Sequence, residues 1–214
     1  MDFVKQRKQL IGHLVNSGYI KSDKVKRAML KVPRENFVLP EYKDEAYVDI
    51  ALPIVGGATI SQPLVHAATL EALQIKDGEK VLEVGAGSGI VLAYLKELVG
   101  PRGKIFGVEI SKEVFDFAKK NLKKTGYFDK VTLINADGSK GLPEQAPFDK
   151  IVVSAAAGEI PKKPIDQLKP EGVMVIPLGA SPDYQELVLV KKTRDKKLVK
   201  ENLMGVVFMQ LQEK

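Results

Sequence analysis

Apolar positions change their period twice along this chain. Between residues 2 and 16, Phe3, Val4, Leu10, Ile11, Leu14 and Val15 recur at helical spacing, and Ser22 ahead of residues 24–30 reads as the cap of a second helix that Pro33 stops. Residues 33–57, with Pro40, Pro53 and the pair Gly56-Gly57, are turn-rich with only short apolar pieces, which predicts an extended lid or flap. From residue 80 short apolar runs alternate with stretches of helical length: strand 80–84, helix 89–99, strand 104–110, helix 112–125, then strands 131–135, 150–154 and 172–177. Such runs are buried on both faces, which requires a parallel sheet with helices on either side. Residues 184–192 and 198–211 follow as a closing antiparallel pair around a Lys-rich turn. The expected fold is α/β: a doubly wound, mostly parallel seven-stranded sheet with an antiparallel C-terminal strand, plus N-terminal helices. A single domain is expected, with residues 1–57 as helices and flap and 58–214 as the sheet core.

Composition narrows what this fold can do. With 44% hydrophobic and 28% charged residues the chain is globular in character, and no apolar run approaches the roughly 18 residues of a membrane span. The charged opening MDFVKQRKQL does not read as an export signal, so a cytoplasmic location is expected. The absence of cysteine excludes disulfides and a catalytic thiol, and His13 and His66 are the only imidazoles, so no metal site is expected. The net charge of +6 raises nucleic-acid binding, but 28 of the 33 basic residues are Lys rather than the Arg that forks onto phosphates and bases, which disfavours it.

Ligands in an open parallel sheet bind beyond the carboxyl ends of the strands, where strand order reverses. Four successive strand ends carry candidate chemistry. Strand 80–84 runs into Gly85-Ala86-Gly87-Ser88-Gly89, whose G-x-G-x-G spacing is not the G-x-G-x-x-G of a dinucleotide site. Such a loop also occurs as a plain tight turn, but Glu83 just before it is a carboxylate inside a buried strand, suited to the ammonium of a methionine moiety. Glu109, 24 residues after Gly85 with Ile110 beside it, can accept from a ribose diol or cap the next helix. Asp137 and Gly138 can receive an adenine or form an ordinary Asp-Gly turn. Ser154 to Gly158 are small and leave a hollow.

The pattern resembles the class I S-adenosylmethionine methyltransferases, whose fold is Rossmann-like. Ala58-Thr59-Ile60-Ser61-Gln62-Pro63 with His66-Ala67, Ala136-Asp137-Gly138, Ala146 to Ile151, Ser154 to Ala157, Asp166 to Pro170 and Ile176 to Gly179 make it similar to the protein-L-isoaspartate O-methyltransferase family from about residue 30 to 211. The resemblance implies that Ser61 is the catalytic hydroxyl beside the substrate carboxylate, with Thr59, Ile60 and His66 at the substrate. It implies that Glu83, Gly85, Gly87, Ser88 and Gly89 hold the methionine part of S-adenosyl-L-methionine, Glu109 the ribose, and Asp137 with Gly138 the adenine, with Ile110 also at the cofactor. S-adenosyl-L-homocysteine would be the product, and a monomer acting on isoaspartyl proteins in their repair is expected. His66, on a helix predicted for residues 64–73, reads equally as a packing residue. Three positions depart from the family pattern: Leu64 stands where a His is usual, Ala136 where Gly is usual, and Met209-Gln210-Leu211 replaces Val-Pro-Leu. A methyltransferase for another substrate and a binding protein without catalysis remain the alternatives.

Overall fold

The computed structural model describes residues 1–213. Helix α1 (Phe3–Asn16) starts at Asp2, whose side chain accepts from the Lys5 amide, and α2 (Asp23–Lys31) starts at Ser22, which accepts from the Val25 amide. Both caps satisfy an amide that the first helical turn leaves without a partner. Next come the two-residue strands β1 (Leu52–Pro53) and β2 (Thr59–Ile60), paired with each other, and α3 (Pro63–Leu73). The core then runs β3 (Lys80–Val84), α4 (Ile90–Val99), β4 (Lys104–Glu109), α5 (Lys112–Thr125), β5 (Thr132–Asn135), β6 (Phe148–Val153), α6 (Lys162–Asp166) and β7 (Leu168–Leu178). It ends with β8 (Gln185–Lys192) and β9 (Leu198–Val206).

The seven strands lie in the order β5-β4-β3-β6-β7-β8-β9. Strands β3 to β7 are mutually parallel, and β8 is antiparallel to both of its neighbours. The chain leaves β3 towards β4 and β5 and then returns to the other side of β3 with β6, so strand order reverses at β3. Alternation along each strand sends side chains to two separate cores. Val81, Ile105, Val152 and Val175 join the core shared with α1 to α5, while Leu82, Val84, Val108, Ile151, Val153 and Met174 join the core beneath Leu142 and Ile165. Glu83 and Gly107 follow the first register, and Gly107 packs against Leu92 of α4.

Two expectations need correction. The segment 33–57 is not extended: it winds through tight turns at Arg34–Asn36, Pro40–Glu45 and Val55–Gly57, and Phe37, Val38 and Ala46 are buried. Its carbonyls turn inward because the buried Arg34 guanidinium collects them, Nε donating to Ala46 O at 2.8 Å and Nη2 to Ile50 O at 3.5 Å. The last strand stops at Val206 instead of continuing to Leu211. The buried side chain of Gln185 accepts from the Phe208 amide at 2.7 Å and draws the chain off the sheet edge. The tail then pairs with Ala156, whose amide donates to Met209 O and whose carbonyl accepts from the Leu211 amide, both at 2.7 Å.

A Cβ at Gly107 would stand 2.7 and 2.8 Å from the two terminal carbons of Leu92 on α4. Gly107→Ala is expected to destabilise the fold by about 1–3 kcal/mol in urea unfolding. Combined with Leu92→Ala, the total loss should fall short of the sum of the single losses, because the smaller Leu92 site admits the methyl.

Candidate active site

Beyond the carboxyl ends of the strands, at the reversal beside β3, a cleft opens between the glycine loop, the segment 56–61 and the C-terminal tail. The glycine loop is shaped by backbone that only glycine adopts easily: Gly85 has φ +83° and Gly89 φ +85°. The Gly85 and Ala86 amides both donate to Val108 O, at 2.8 and 3.1 Å, which fastens the loop to the end of β4.

Glu109, at that end, completes the attachment. One carboxylate oxygen accepts from the Gly87 amide and the other from the Ser111 amide, each at 3.0 Å, while Ser111 itself caps α5 by accepting from Val114. A carboxylate has about four acceptor positions, so these two bonds leave capacity for a diol. Glu109 thus holds the cap residue Ser111 in place and also lines the cleft.

Glu83 is 1% exposed and lines the same cleft. One oxygen accepts from Ser154 Oγ at 3.0 Å across the end of β6; the other is buried without a hydrogen-bond partner among the described residues. Burial pushes this carboxyl well above its ordinary value, the Ser154 hydrogen bond opposes the rise, and the nearby Glu109 charge adds to it. An acid in this state is suited to a cationic ligand group, which would supply both the missing partner and the missing countercharge.

Thr59, Ile60, Ser61 and His66 form the facing wall, Ser61 half-buried just after β2. Gly85, Gly87, Ser88, Ile110 and Gly138 also line the cleft. Two expected positions do not. Gly89 faces α5, where a Cβ would stand 3.1 Å from Leu122. Asp137 caps the turn Gly138–Lys140, accepting from the Ser139 amide at 2.9 Å, and its carboxylate pairs with Lys140 Nζ at 3.1 Å. Gly138 is small for the sheet's sake, since a Cβ there would stand 2.6 Å from Val84 Cγ1. His13 is exposed in the last turn of α1 rather than packed. No group of three or more His, Cys, Asp or Glu among the described residues is arranged to hold a metal.

Gly56 and the tail from Phe208 to Gln212, none of them among the site residues named from the motifs, also line the cleft. The only signal for the tail was its departure from the family's Val-Pro-Leu. Leu64 departs too but lies outside the lining, its amide donating to Asp49 at 2.8 Å in the first turn of α3.

The family model described as protein-L-isoaspartate(D-aspartate) O-methyltransferase matches residues 5–214. The chain belongs to this family. A relative from Hyperthermus butylicus named protein-L-isoaspartate O-methyltransferase is 47% identical over 98% of this chain and 89% of its own length. Another of the same name, from Methanopyrus kandleri, is also 47% identical, over 98% of this chain and 92% of its own. Among solved structures, a Plasmodium falciparum protein described as a putative protein-L-isoaspartate O-methyltransferase in complex with S-adenosyl-L-homocysteine matches with a TM-score of 0.85. It is 27% identical over 97% of this chain and 99% of its own. The Rossmann-like methyltransferase fold of the family is therefore the fold of this chain.

Because folded Glu83 keeps its proton to higher pH than the unfolded chain does, its contribution to stability is fully present below the ordinary value of 4.5. That contribution is lost as pH rises through the folded value. Glu83→Gln should remove this slope from the ligand-free protein: compared by urea midpoints from acid to neutral pH, the wild type should fall relative to the variant. Parallel curves would contradict the assignment.

Proposed function

We propose that this protein methylates the free α-carboxylate of L-isoaspartyl residues in damaged proteins, using S-adenosyl-L-methionine, and so begins their repair. The observation that carries the reading is the buried, partnerless oxygen of Glu83 opening on the same cleft as Ser61. The family membership and the S-adenosyl-L-homocysteine held by the Plasmodium falciparum structure support it.

The residues present fit this cofactor. Glu83 would hold the ammonium of the methionine part, the Gly85 to Ser88 backbone its chain, and Glu109 the ribose hydroxyls through its remaining acceptor positions. The adenine end would rest against Gly138 and Ile110, with the Asp137 carboxylate shaping the turn behind them. When bound, S-adenosyl-L-methionine supplies an electrophilic methyl group on a sulfonium. A substrate carboxylate is already ionised at neutral pH, so the protein needs no general base. Its task is orientation, which can contribute roughly 7–11 kcal/mol to lowering a barrier. The Ser61 hydroxyl would donate to one carboxylate oxygen and leave the other to react, with Thr59 beside it. The segment 56–61 and the tail exclude water from a step in which opposite charges are neutralised. An isoaspartyl residue carries an extra backbone methylene, so shape between these two segments can separate it from aspartate.

Incubation with labelled S-adenosyl-L-methionine and matched peptides should give base-labile methyl on the isoaspartyl peptide and none on the aspartyl one. Label on another substrate, or donor binding with no transfer, would reject the reading. Ser61→Ala should keep its donor affinity and lose about tenfold to a hundredfold in kcat, the loss expected for one hydrogen bond to a charged group; an unchanged kcat removes Ser61 from the mechanism.

A further inference from the structure

Arg34 is the most deeply buried charge outside the methyl-donor half of the cleft, with 2% of its surface exposed. It makes no ion pair among the described residues. Its partners are the carbonyls of Ala46 and Ile50 and, from Nη1, the Nδ1 atom of His66 at 3.5 Å. A guanidinium has donors only. Nδ1 must therefore present its lone pair, and the proton of a neutral His66 resides on Nε2.

The ring is positioned for use. His66 is 5% exposed and lines the cleft with Ile60 and Ser61. Tyr94 meets it edge to face at 5.8 Å between centroids, which fixes the ring plane, and Nε2 makes no hydrogen bond within the described residues. Burial and the Arg34 charge both hold the imidazole well below its ordinary pKa, so it is neutral where the substrate carboxylate is ionised. A carboxylate bound beside Ser61 would then share a cleft wall with a neutral imidazole whose Nδ1 is taken up by the buried Arg34 charge.

We propose that Arg34 is a positioning residue for methyl transfer: by occupying Nδ1 it locks His66 as the Nε2–H tautomer, a fixed hydrogen-bond donor to the substrate carboxylate beside Ser61. This rests on the reading of the cleft as an isoaspartyl site, but its first test does not. With only two histidines in the chain, long-range ¹H–¹⁵N spectra of histidine-labelled protein give two ring patterns, and His66→Gln identifies which to follow. His66 should show a protonated Nε2 and a bare Nδ1 throughout. In Arg34→Met part of the proton should move to Nδ1, and Arg34→Lys, which keeps a cationic donor, should restore the pattern. A proton on Nδ1 in the wild type, or a pattern unchanged in Arg34→Met, overturns the proposal.

The functional half is read from peptide kinetics, in variants that leave Arg34 in place should Arg34→Met not fold. Gln places an amide near the Nε2 position and Asn near Nδ1. His66→Asn should raise KM for the isoaspartyl peptide about tenfold to a hundredfold with the donor KM unchanged, and His66→Gln should recover most of that loss. Equal losses in the two variants, or losses confined to donor KM, would show that His66 only packs. If the tautomer is as stated but no isoaspartyl transfer occurs, the function fails while the lock stands.

Discussion

Covering β3 on both faces sends every side chain from Val81 to Val84 into dry interior, and one of the four is an acid. The cost of an unpaired carboxyl there is substantial, and the fold offsets only part of it with the Ser154 hydroxyl. The rest stays at the one place where strand order reverses and helices cannot close over the strand ends. The reversal provides the opening, and the half-satisfied acid gives that opening a chemical preference. Glycine at Gly85 and Glu109 at the end of β4 follow from the same constraint, since the loop must turn at once and then be held by backbone and carboxylate acceptors.

The N-terminal third solves a different problem. Between its helices it is wound in tight turns, and two arginines take up carbonyls that the local backbone bonds leave over. Arg34 gathers Ala46 and Ile50 from within. Arg7 reaches from α1 to the Leu30 carbonyl at 3.0 Å, to both oxygens of Glu35 at 2.9 and 3.1 Å and to the Tyr47 hydroxyl at 2.6 Å, so the helix and the turns move as one body. Burial and the Glu35 hydrogen bond push the Tyr47 hydroxyl far up its scale, which keeps it neutral and donating. Behind the wall opposite the glycine loop lies one buried cation without an ion pair among the described residues, Arg34, a sensible backing for a substrate that arrives as an anion.

Much of this was legible from period alone. The central strands β3, β4 and β6 announce themselves because burial on both faces makes them nearly uniformly apolar, α4 and α5 by length and period, and Ser22 by a contact three residues away, while the short α6 was not among the expected elements. What escaped the sequence depends on partners far along the chain. The prolines and glycines of residues 33–57 mark its turns, but nothing local shows that these pack into a buried body around Arg34 rather than extending as a flap. Nothing local ends the last strand at Val206, because Gln185, more than twenty residues earlier, draws the chain away. At the strand ends, residue types were readable and directions were not: Asp137 and Gly89 stand where the pattern puts them but face a turn and a helix.

The cleft therefore has two halves of different origin. The sheet, through β3, β4 and the turn after β5, supplies the wall fitted to a nucleoside and an ammonium. The facing wall comes from segment 56–61, α3 and the tail, all outside the sheet's main ladder. Departures from the family pattern fall unevenly across this division. Leu64 is taken up by Asp49 in the first turn of α3, and the Ala136 amide donates to the Glu109 carbonyl at 3.1 Å away from the lining. Met209 and Gln210 line the cleft, with Met209 exposed at its rim. Replacing the family's proline there restores a backbone amide and exchanges a rigid, compact ring for longer flexible chains. The change lies on the tail, outside the glycine loop and the ends of β3 and β4, so on the proposed reading it bears on which peptides the cleft admits.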